Sequence, residues 1–331
     1  MLKKLLVITF VAATFTAQAV EQSSTGQRPA TMGVWQPPAG LTQTRIWPGA
    51  SPDMPEGSRP AEVMFDVKKV PGRYYTGISE VTVPTMTVFK PVGENTGAAI
   101  VVFPGGGFRL LAVDLEGTEI CEWITSKGIT CVLLKYRVPN SNHYWDSEER
   151  RHVTPAVPFA LQDAQRTIRL VRANSDQLGI DPSKIGVFGM SAGGYLVAQT
   201  SNIPEATYSP VDAADSLSSL PNFAIALYPG HLCRLGATLD PTIEVSKQTP
   251  PTFLLAAWDD PTNKICNTTV YAHALASAGV PAEIHVFAIG GHAFGLRHGE
   301  LPIASWPSLV EMWLKAINVL VAPGPAPRGE G

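Results

Sequence analysis

The chain has 331 residues, of which 45% are hydrophobic and 16% charged, and these proportions are typical of a globular protein with a large core rather than of a disordered or fibrous one. The formal net charge is -3 and the isoelectric point about 6.2, so the overall charge gives no reason to expect nucleic acid or an anionic membrane surface as a partner. One large domain or two small ones would fit this length.

Residues 1–19 have the three-part layout of a secretory signal peptide. Lys3 and Lys4 provide a basic start, an apolar run covers residues 5–15, and small residues precede a cleavage point after Ala19. The apolar run is too short to span a bilayer, and no later segment is long and apolar enough to do so. We therefore expect a protein that is exported to the periplasm or the extracellular space and does not associate with a membrane.

Residues 20–66 are rich in Pro, Gly, Ser and Thr and predict an irregular N-terminal arm that crosses the surface, pinned by Trp35 and Trp47. The last segment, 322–331, has nothing to bury and predicts a disordered tail. Between them, residues 67–321 predict one domain in which strands and helices alternate. Expected strands cover 85–89, 98–103, 130–136, 184–188, 223–228, 252–257 and 282–287, and expected helices cover 118–126, 158–174, a segment from 192, 268–277 and 308–319.

Alternation of this kind predicts an α/β fold, with a mostly parallel central sheet and helices on both of its faces. Functional groups in such sheets gather in the loops that follow the carboxyl ends of the strands. Reactive side chains are therefore expected in the loops after the predicted strands.

Residues 189–193, G-M-S-A-G, match the G-x-S-x-G pattern of a nucleophilic serine, although so short a pattern often occurs by chance. Here it follows a buried strand, I-G-V-F, and opens a helix, G-Y-L-V-A, which is the context that the motif requires. The sharp turn strains the serine backbone, and the flanking glycines let neighbouring backbone pass. We predict Ser191 as the nucleophile, with the Ala192 N–H directed at a developing oxyanion; an ordinary glycine-rich turn is the alternative.

A serine hydroxyl needs a base to accept its proton. His292, in I-G-G-H-A-F-G, directly follows the strand A-E-I-H-V-F and should lie at the same edge of the sheet as Ser191. His285 lies inside that strand, His298 follows six positions after His292, and His231 follows another strand end, so these three are weaker candidates. His292 is the predicted base.

The imidazole in turn needs a carboxylate that fixes its tautomer and stabilises its cation. The strand P-T-F-L-L-A-A ends in W-D-D-P, which places Asp259 and Asp260 at the same edge. Either aspartate gives the chain order serine, acid, histidine, which is that of the α/β-hydrolase fold.

The glycine-rich stretch 104–108, P-G-G-G-F, also follows a buried strand. Its glycines let bare N–H groups approach a reacting carbonyl, as an oxyanion hole requires. The alternative is a phosphate cradle, but the G-x-x-x-x-G-K-[S/T] and G-x-G-x-x-G spacings are missing. His and Cys residues show no zinc-ligand spacing either, so neither a metal nor an organic cofactor is expected.

Export makes disulfides possible, and four cysteines allow three pairings among which the sequence does not choose. Cys121 lies in a helical pattern and Cys131 in a buried strand pattern, where a free thiol packs as a small apolar group. Cys233 and Cys266 lie in two loops that we expect at the same rim, and they are the favoured pair.

Together these segments resemble the secreted bacterial α/β-hydrolase esterases of the acetyl xylan esterase and acetyl-esterase type, which are related to the hormone-sensitive-lipase group. The resemblance covers most of residues 98–319 and implies the α/β-hydrolase fold. The matching stretches are P-G-G-G-F, D-L-E-G-T-E, G-I-T-C-V-L-L-K-Y-R-V, L-Q-D-A-Q-R-T-I-R-L-V-R, G-I-D-P-S-K-I-G-V-F-G-M-S-A-G-G and V-P-A-E-I-H-V-F-A-I-G-G-H-A-F-G. The implied roles are nucleophile for Ser191, base for His292, and oxyanion donors for Gly106, Gly107 and Ala192.

Two departures from the family pattern concern this site. P-G-G-G replaces the lipase-like H-G-G-G, as in the xylan esterase branch, so Pro104 cannot supply the side-chain contact of that histidine. The usual H-G-x-x-D at the acid strand is replaced by A-A-W-D-D. Aligning A-A-W-D-D with H-G-x-x-D position by position favours Asp260 over Asp259 as the acid.

The implied activity is ester hydrolysis through an acyl-enzyme, on a small ester such as an acetyl group of xylan or a xylo-oligosaccharide. Candidate substrate contacts are Phe108 and, in the long polar loop 139–154, Tyr144 and Trp145. A serine peptidase of the prolyl-oligopeptidase type and a non-catalytic carbohydrate-binding homologue are the alternatives. The first lacks a preceding β-propeller repeat, and an intact triad argues against the second.

Overall fold

We describe the protein from a computed structural model, which describes residues 31–54, 60–70, 73–139, 144–146, 151–153, 158–297 and 299–320. The predicted signal peptide 1–19 and the predicted tail 322–331 lie outside these residues, as does the weaker base candidate His298. In the described ranges, no helix has the length and apolar character needed to cross a membrane.

Strands and helices alternate along the chain much as the sequence pattern predicts. The strands are β1 (Thr31–Gly33), β2 (Gln43–Arg45), β3 (Val63–Val70), β4 (Arg73–Ser79), β5 (Thr85–Phe89), β6 (Ala99–Phe103), β7 (Leu111–Ala112), β8 (Thr130–Lys135), β9 (Tyr144–Asp146), β10 (Arg151–Val153), β11 (Ile185–Met190), β12 (Phe223–Leu227), β13 (Cys233–Arg234), β14 (Thr238–Leu239), β15 (Thr252–Ala257) and β16 (Ala282–Phe287). The helices are α1 (Glu119–Thr125), α2 (Phe159–Ala173), α3 (Ser175–Leu178), α4 (Ala192–Asn202), α5 (Cys266–Ala278) and α6 (Trp306–Ala316).

Within the described residues, a central sheet of eight strands has the order β16-β15-β12-β11-β6-β8-β5-β2. The strands from β16 to β8 are parallel to their neighbours, whereas β5 and β2 pair antiparallel. Because parallel crossovers are right-handed, α1, which leads from β6 to β8, lies on the face opposite to α2, which leads back to β11. The fold is the α/β-hydrolase fold.

The inner strands form the core because their sequences are continuous apolar runs. Every residue of β6, β8, β11, β12 and β15 is buried, as expected for strands covered on both faces. Each buried Val, Ile, Leu or Phe contributes about 1.5–3 kcal/mol relative to its exposed state. The edge strand β16 alternates between exposed and half-buried residues. The core therefore holds the carboxyl ends of the inner strands rigidly in place.

The N-terminal arm is more regular than its composition predicts. β2 joins the edge of the central sheet, and β1 and β3 belong to a separate antiparallel sheet with the order β1-β3-β4-β7. The arm is held by buried Trp35 and Trp47, which were the predicted anchors. β2 forms despite the Pro and Gly content because the edge of β5 offers it a row of backbone partners, whereas β1 and β3 find theirs in the separate sheet.

Buried polar side chains of α2 fasten the arm to the domain. Asp163 accepts the indole N–H of Trp47 at 2.8 Å and forms an ion pair with Arg137 at 2.9 Å. Arg166 donates to the Ile46 carbonyl at 2.9 Å. This network therefore ties the arm to α2.

Cys233 and Cys266, the favoured pair, form a disulfide with Cα atoms 5.7 Å apart. Cys121 and Cys131 are also bridged, with Cα atoms 5.3 Å apart, a second bond that the sequence did not favour. The helical and strand patterns around them do not reveal that α1 packs directly on β8, which brings the two side chains together.

Candidate active site

Two loops that build the site follow neighbouring strands. β6 pairs parallel with β11, with Phe103 opposite Gly189, so the glycine loop that starts at Pro104 lies directly beside Ser191. From these two strands the chain moves in opposite directions across the sheet, from β6 to β8 and from β11 to β12. Such a reversal leaves a crevice between the loops, which is where ligands bind in open α/β sheets.

Ser191 occupies the sharp turn between β11 and α4. Its backbone has φ 54° and ψ -117°, a conformation that costs a non-glycine residue about 1–3 kcal/mol. Neighbouring groups hold it there: its N–H donates to the Leu227 carbonyl at 3.1 Å, and its own carbonyl accepts the Gly230 N–H at 3.0 Å. A Cβ at Gly193 would collide with the Phe103 carbonyl, so the second glycine of the motif is required for close approach.

The three predicted side chains form a continuous series of hydrogen bonds. Ser191 Oγ lies 3.1 Å from His292 Nε2, and His292 Nδ1 lies 2.7 Å from Asp260 Oδ2. The Asp260 side chain is fully buried, whereas that of His292 is 17% exposed. The carboxylate accepts the Nδ1–H, which leaves Nε2 as the acceptor for the serine proton. The ring of Tyr228 packs edge-on against the imidazole, 5.1 Å away.

The two adjacent aspartates have different partners. Asp260 Oδ1 accepts the N–H groups of Thr262 and Asn263 at 2.7 and 2.9 Å, which fixes its carboxylate towards His292. Asp259 is exposed and accepts the N–H groups of Gly290 and Gly291 at 2.9 and 2.8 Å. Thus Asp260 contacts the histidine itself, and Asp259 holds the loop that carries it.

The backbone N–H groups of the predicted oxyanion donors belong to the glycine loop and to the turn that carries Ser191. In the described ranges, no protein acceptor binds the N–H of Gly106, Gly107 or Ala192. Gly106 adopts φ 135°, a conformation that favours glycine, and its carbonyl accepts the N–H of Leu110 at 3.2 Å. The loop is therefore folded back so that its N–H groups stay available for a ligand.

Glu116, to which no role was assigned from the sequence, holds the glycine loop after β6 in place. It is buried, with 1% exposure, and its Oε2 accepts the Gly105 N–H at 2.8 Å. Its Oε1 accepts the Tyr228 hydroxyl at 2.9 Å. One carboxylate thereby ties the loop after β6 to the end of β12. The signal for it was a carboxylate within the matching stretch D-L-E-G-T-E.

Two tyrosines near the site remain neutral at physiological pH. Burial and the neighbouring Glu116 carboxylate raise the pKa of Tyr228 well above its usual value, so its hydroxyl remains a donor. Burial, followed by the charges of Glu116 and Asp114, raises the pKa of Tyr75 to about 12. Tyr75, which lines the cavity beside Ser191, therefore stays uncharged.

A cavity of about 820 Å³ adjoins the nucleophile. The predicted Ser191, His292, Gly106 and Gly107 line it, and the disulfide Cys233–Cys266 forms part of its wall. The other lining residues are mostly polar and are Tyr75, Arg109, Ala112, Glu116, His231, Thr262, Asn263, Lys264, Asn267 and Ala293.

The three candidate substrate contacts differ in position. Phe108 is fully buried, and its ring packs 6.2 Å from that of Tyr195 and 5.7 Å from that of His231, so it supports the glycine loop and has no face open to the cavity. Tyr144 and Trp145 lie in β9, which pairs with β10, and their side chains are outside the described part of the structure.

The weaker base candidates have other environments. His285 Nε2 lies 2.8 Å from Glu283 Oε1 on β16, as expected for a paired strand residue. His231 lines the cavity with its ring 5.8 Å from that of Tyr195. In the described residues, no three His, Cys, Asp or Glu side chains are grouped so that they could hold a metal ion.

Asn263 was not singled out by the sequence, yet its Nδ2 lies 3.3 Å from Ser191 Oγ. The available signal was its position three residues after Asp260, in the same strand-end loop. The arrangement as a whole supplies a hydroxyl with an adjacent base, a buried acid and nearby backbone N–H groups that bind no protein acceptor among the described residues, and these are the groups that acyl transfer requires.

Comparison with known proteins supports this assignment of the fold. Residues 100–249 match the family model of the α/β-hydrolase fold. The chain is 28% identical over 236 residues to an acetylxylan esterase of Xylanibacter ruminicola, a match that covers 63% of this chain and 43% of that protein. It is 25% identical over 241 residues to carboxylesterase NlhH of Mycobacterium tuberculosis, with 63% and 70% covered. The chain thus spans less than half the length of the first of these relatives.

Solved structures show the same likeness. An acetyl ester-xyloside bifunctional hydrolase from Caldicellulosiruptor lactoaceticus is 29% identical and superimposes with a TM-score of 0.64 over 84% of this chain and 97% of its own. Esterase Est2 from Thermogutta terrifontis, with propionate bound, is 26% identical with a TM-score of 0.60, covering 73% and 92%. The order of the strands, the placement of the site loops and these likenesses show that the chain has the α/β-hydrolase fold.

Proposed function

We propose that the protein is a serine carboxylic-ester hydrolase. The observation that carries the proposal is the series of hydrogen bonds from Ser191 through His292 to buried Asp260, beside the three N–H groups described above. The assignment of roles follows from chemistry: a serine becomes a nucleophile only beside a base, and the base acts only if its tautomer is fixed.

In the acylation step, Ser191 Oγ attacks the ester carbonyl while its proton moves to His292 Nε2. Asp260 stabilises the imidazolium that forms. The N–H groups of Gly106, Gly107 and Ala192 hold the tetrahedral oxyanion, and one such donor typically lowers the barrier by about 2.7–4 kcal/mol. The alcohol leaves with the proton from His292, and an acyl-enzyme remains. Water then attacks that ester by the same route and releases the acid.

The proposed substrates are acetyl esters of xylan or xylo-oligosaccharides. Support comes from the names of an acetylxylan esterase and an acetyl ester-xyloside hydrolase among the relatives. Side chains with hydrogen-bonding groups, among them Tyr75 and Lys264, line the cavity, and a few such groups are enough to orient a small ligand in a binding site.

The test is acetate release from acetylated xylan, acetylated xylo-oligosaccharides, acetylated monosaccharides and p-nitrophenyl acetate, measured for wild type and Ser191→Ala. We expect turnover of the acetyl esters, with highest kcat/KM on the oligosaccharides, and its loss in Ser191→Ala. Ester turnover that persists in Ser191→Ala would exclude the proposed nucleophile. Hydrolysis of a prolyl p-nitroanilide in place of the esters would favour the peptidase alternative.

We also propose that the protein is exported. The pattern of residues 1–19 is that of a signal peptide, and the two disulfides among the described residues are bonds that persist in oxidising compartments. Mass spectrometry of the protein recovered from its native host should find an N-terminus at Val20. An intact N-terminus on a cytosolic protein with reduced cysteines would contradict the proposal.

A further inference from the structure

Asn263 contacts the reacting oxygen of the candidate nucleophile from a side that the histidine does not occupy. Its Nδ2 lies 3.3 Å from Ser191 Oγ and 2.9 Å from the Tyr228 carbonyl oxygen. The carbonyl can only accept, so the atom that faces it must be the amide nitrogen. One N–H of that nitrogen is directed to the carbonyl, and the other is directed to Oγ.

The carboxylate of Asp260, which orients the base, also holds the main chain of Asn263. Asp260 Oδ2 accepts from His292, and Asp260 Oδ1 accepts the backbone N–H of Asn263 at 2.9 Å. Space for the side chain exists because residue 230 is glycine: a Cβ there would lie 3.0 Å from both Nδ2 and Oδ1 of Asn263. The N–H of Gly230 in turn binds the Ser191 carbonyl at 3.0 Å. The amide is therefore held against the nucleophile from both sides.

We propose that Asn263 is a catalytic residue that assists departure of Ser191 Oγ when the acyl-enzyme is hydrolysed; this inference rests on the proposed esterase function. In the acyl-enzyme, Oγ is the alkoxy oxygen of an ester and accepts hydrogen bonds weakly. As the second tetrahedral intermediate collapses, Oγ becomes a departing alkoxide and accepts strongly. The N–H of Asn263 thus binds the transition state more tightly than the ground state, which is the condition for catalysis.

The bond between the acyl carbon and Oγ breaks, and its electron pair goes to Oγ. The oxyanion electron pair re-forms the carbonyl, and the proton on His292 Nε2, taken earlier from the attacking water, moves to Oγ. The carboxylic acid leaves, and the free serine is restored. In acylation the gain is smaller, because Oγ starts as a hydroxyl, which already accepts the amide hydrogen bond.

The test compares Asn263→Leu, which keeps the volume and removes the donor, with Asn263→Ala and wild type. Stopped-flow with p-nitrophenyl acetate measures acylation as the burst, and quench-flow mass spectrometry measures the fraction of enzyme present as acetyl-Ser191 during turnover. We expect the deacylation rate constant to fall about tenfold in both variants, as for loss of one hydrogen bond to a charged group, while the acylation rate constant falls less than threefold. Acetyl-enzyme therefore accumulates.

Thr269→Ala on the exposed side of α5 is the control and should leave both rate constants unchanged. Equal losses in acylation and deacylation would mean that Asn263 only supports the loop, and a raised KM with unchanged kcat would mean that it only binds substrate; either result overturns the proposal. Unchanged kinetics in both Asn263 variants overturn it as well. If wild type forms no acetyl-enzyme and releases no acetate, the proposed function itself fails. If wild type reacts normally and the Asn263 variants are unaffected, only the role of Asn263 fails.

Discussion

Replacing Asp260 by asparagine should abolish most activity without disturbing the site geometry. The amide oxygen of the variant can still accept the N–H groups of Thr262 and Asn263, which now bind Oδ1 at 2.7 and 2.9 Å. Its NH2 group then faces His292 Nδ1, which in wild type donates to Oδ2 at 2.7 Å. Two donors cannot share that contact, so the imidazole moves its proton to Nε2.

A proton on Nε2 points at Ser191 Oγ, 3.1 Å away, and the ring can no longer accept the serine proton. A wrong tautomer of this kind costs about 10⁴-fold in kcat, which corresponds to about 5.4 kcal/mol at 1.36 kcal/mol for each tenfold change. The assay is hydrolysis of p-nitrophenyl acetate, with circular dichroism to verify folding.

Asp259→Asn is the matched control. Its amide oxygen can keep the two bonds that Asp259 Oδ1 makes to the N–H groups of Gly290 and Gly291 at 2.9 and 2.8 Å. We expect less than a tenfold loss of kcat. A larger loss in Asp259→Asn than in Asp260→Asn would refute the assignment of the acid.

Two further predictions concern stability. Asp163→Asn leaves Arg137 as a buried charge without its counter-ion and should lower the free energy of unfolding by about 3–5 kcal/mol in urea titrations. Glu311→Gln, which removes partly exposed ion pairs to Lys127 and Lys315, should lower it by less than about 1 kcal/mol. Equal losses of unfolding free energy in the two variants would contradict the reasoning. The hydrogen bond from Arg166 holds the pKa of Asp212 below its usual 3.8, so its contribution to stability is present above that pH and is lost as the pH falls through the lower folded-state value. Asp212→Asn should therefore reduce the pH dependence of unfolding below pH 4, and an unchanged slope would show that the pair does not couple to folding.

The sequence predicted those parts of the site that depend on where strands end. Ser191 and the Pro104 loop directly follow apolar runs, His292 lies in the loop after the strand 282–287, and a parallel sheet brings all such strand ends to one edge. Asp259 and Asp260 are harder to distinguish from sequence, because the geometry of the turn decides which of two neighbouring side chains faces the histidine. The family frame favoured Asp260, and the structure places it against His292.

Other features depend on contacts between segments distant in the chain. Glu116 reaches Gly105 and Tyr228 through the packing of three separate strand ends, and no local pattern predicts this. The partnership of Cys121 with Cys131 requires the docking of α1 on β8. The burial of Phe108 follows from its position beneath the glycine loop, where its ring meets Tyr195. Sequence periodicity predicts each element, but not which side chains meet across elements.

The Cys233–Cys266 bridge makes the cavity wall sensitive to how the protein is prepared. Cytosolic thiols are kept reduced, so protein made in the cytosol of an expression host would carry two thiols in the cavity that Ser191 lines rather than one bridge. Alkylating ester analogues applied to such material would label these thiols as well as the nucleophile. Active-site titration of this protein therefore requires prior proof that both cysteines are oxidised.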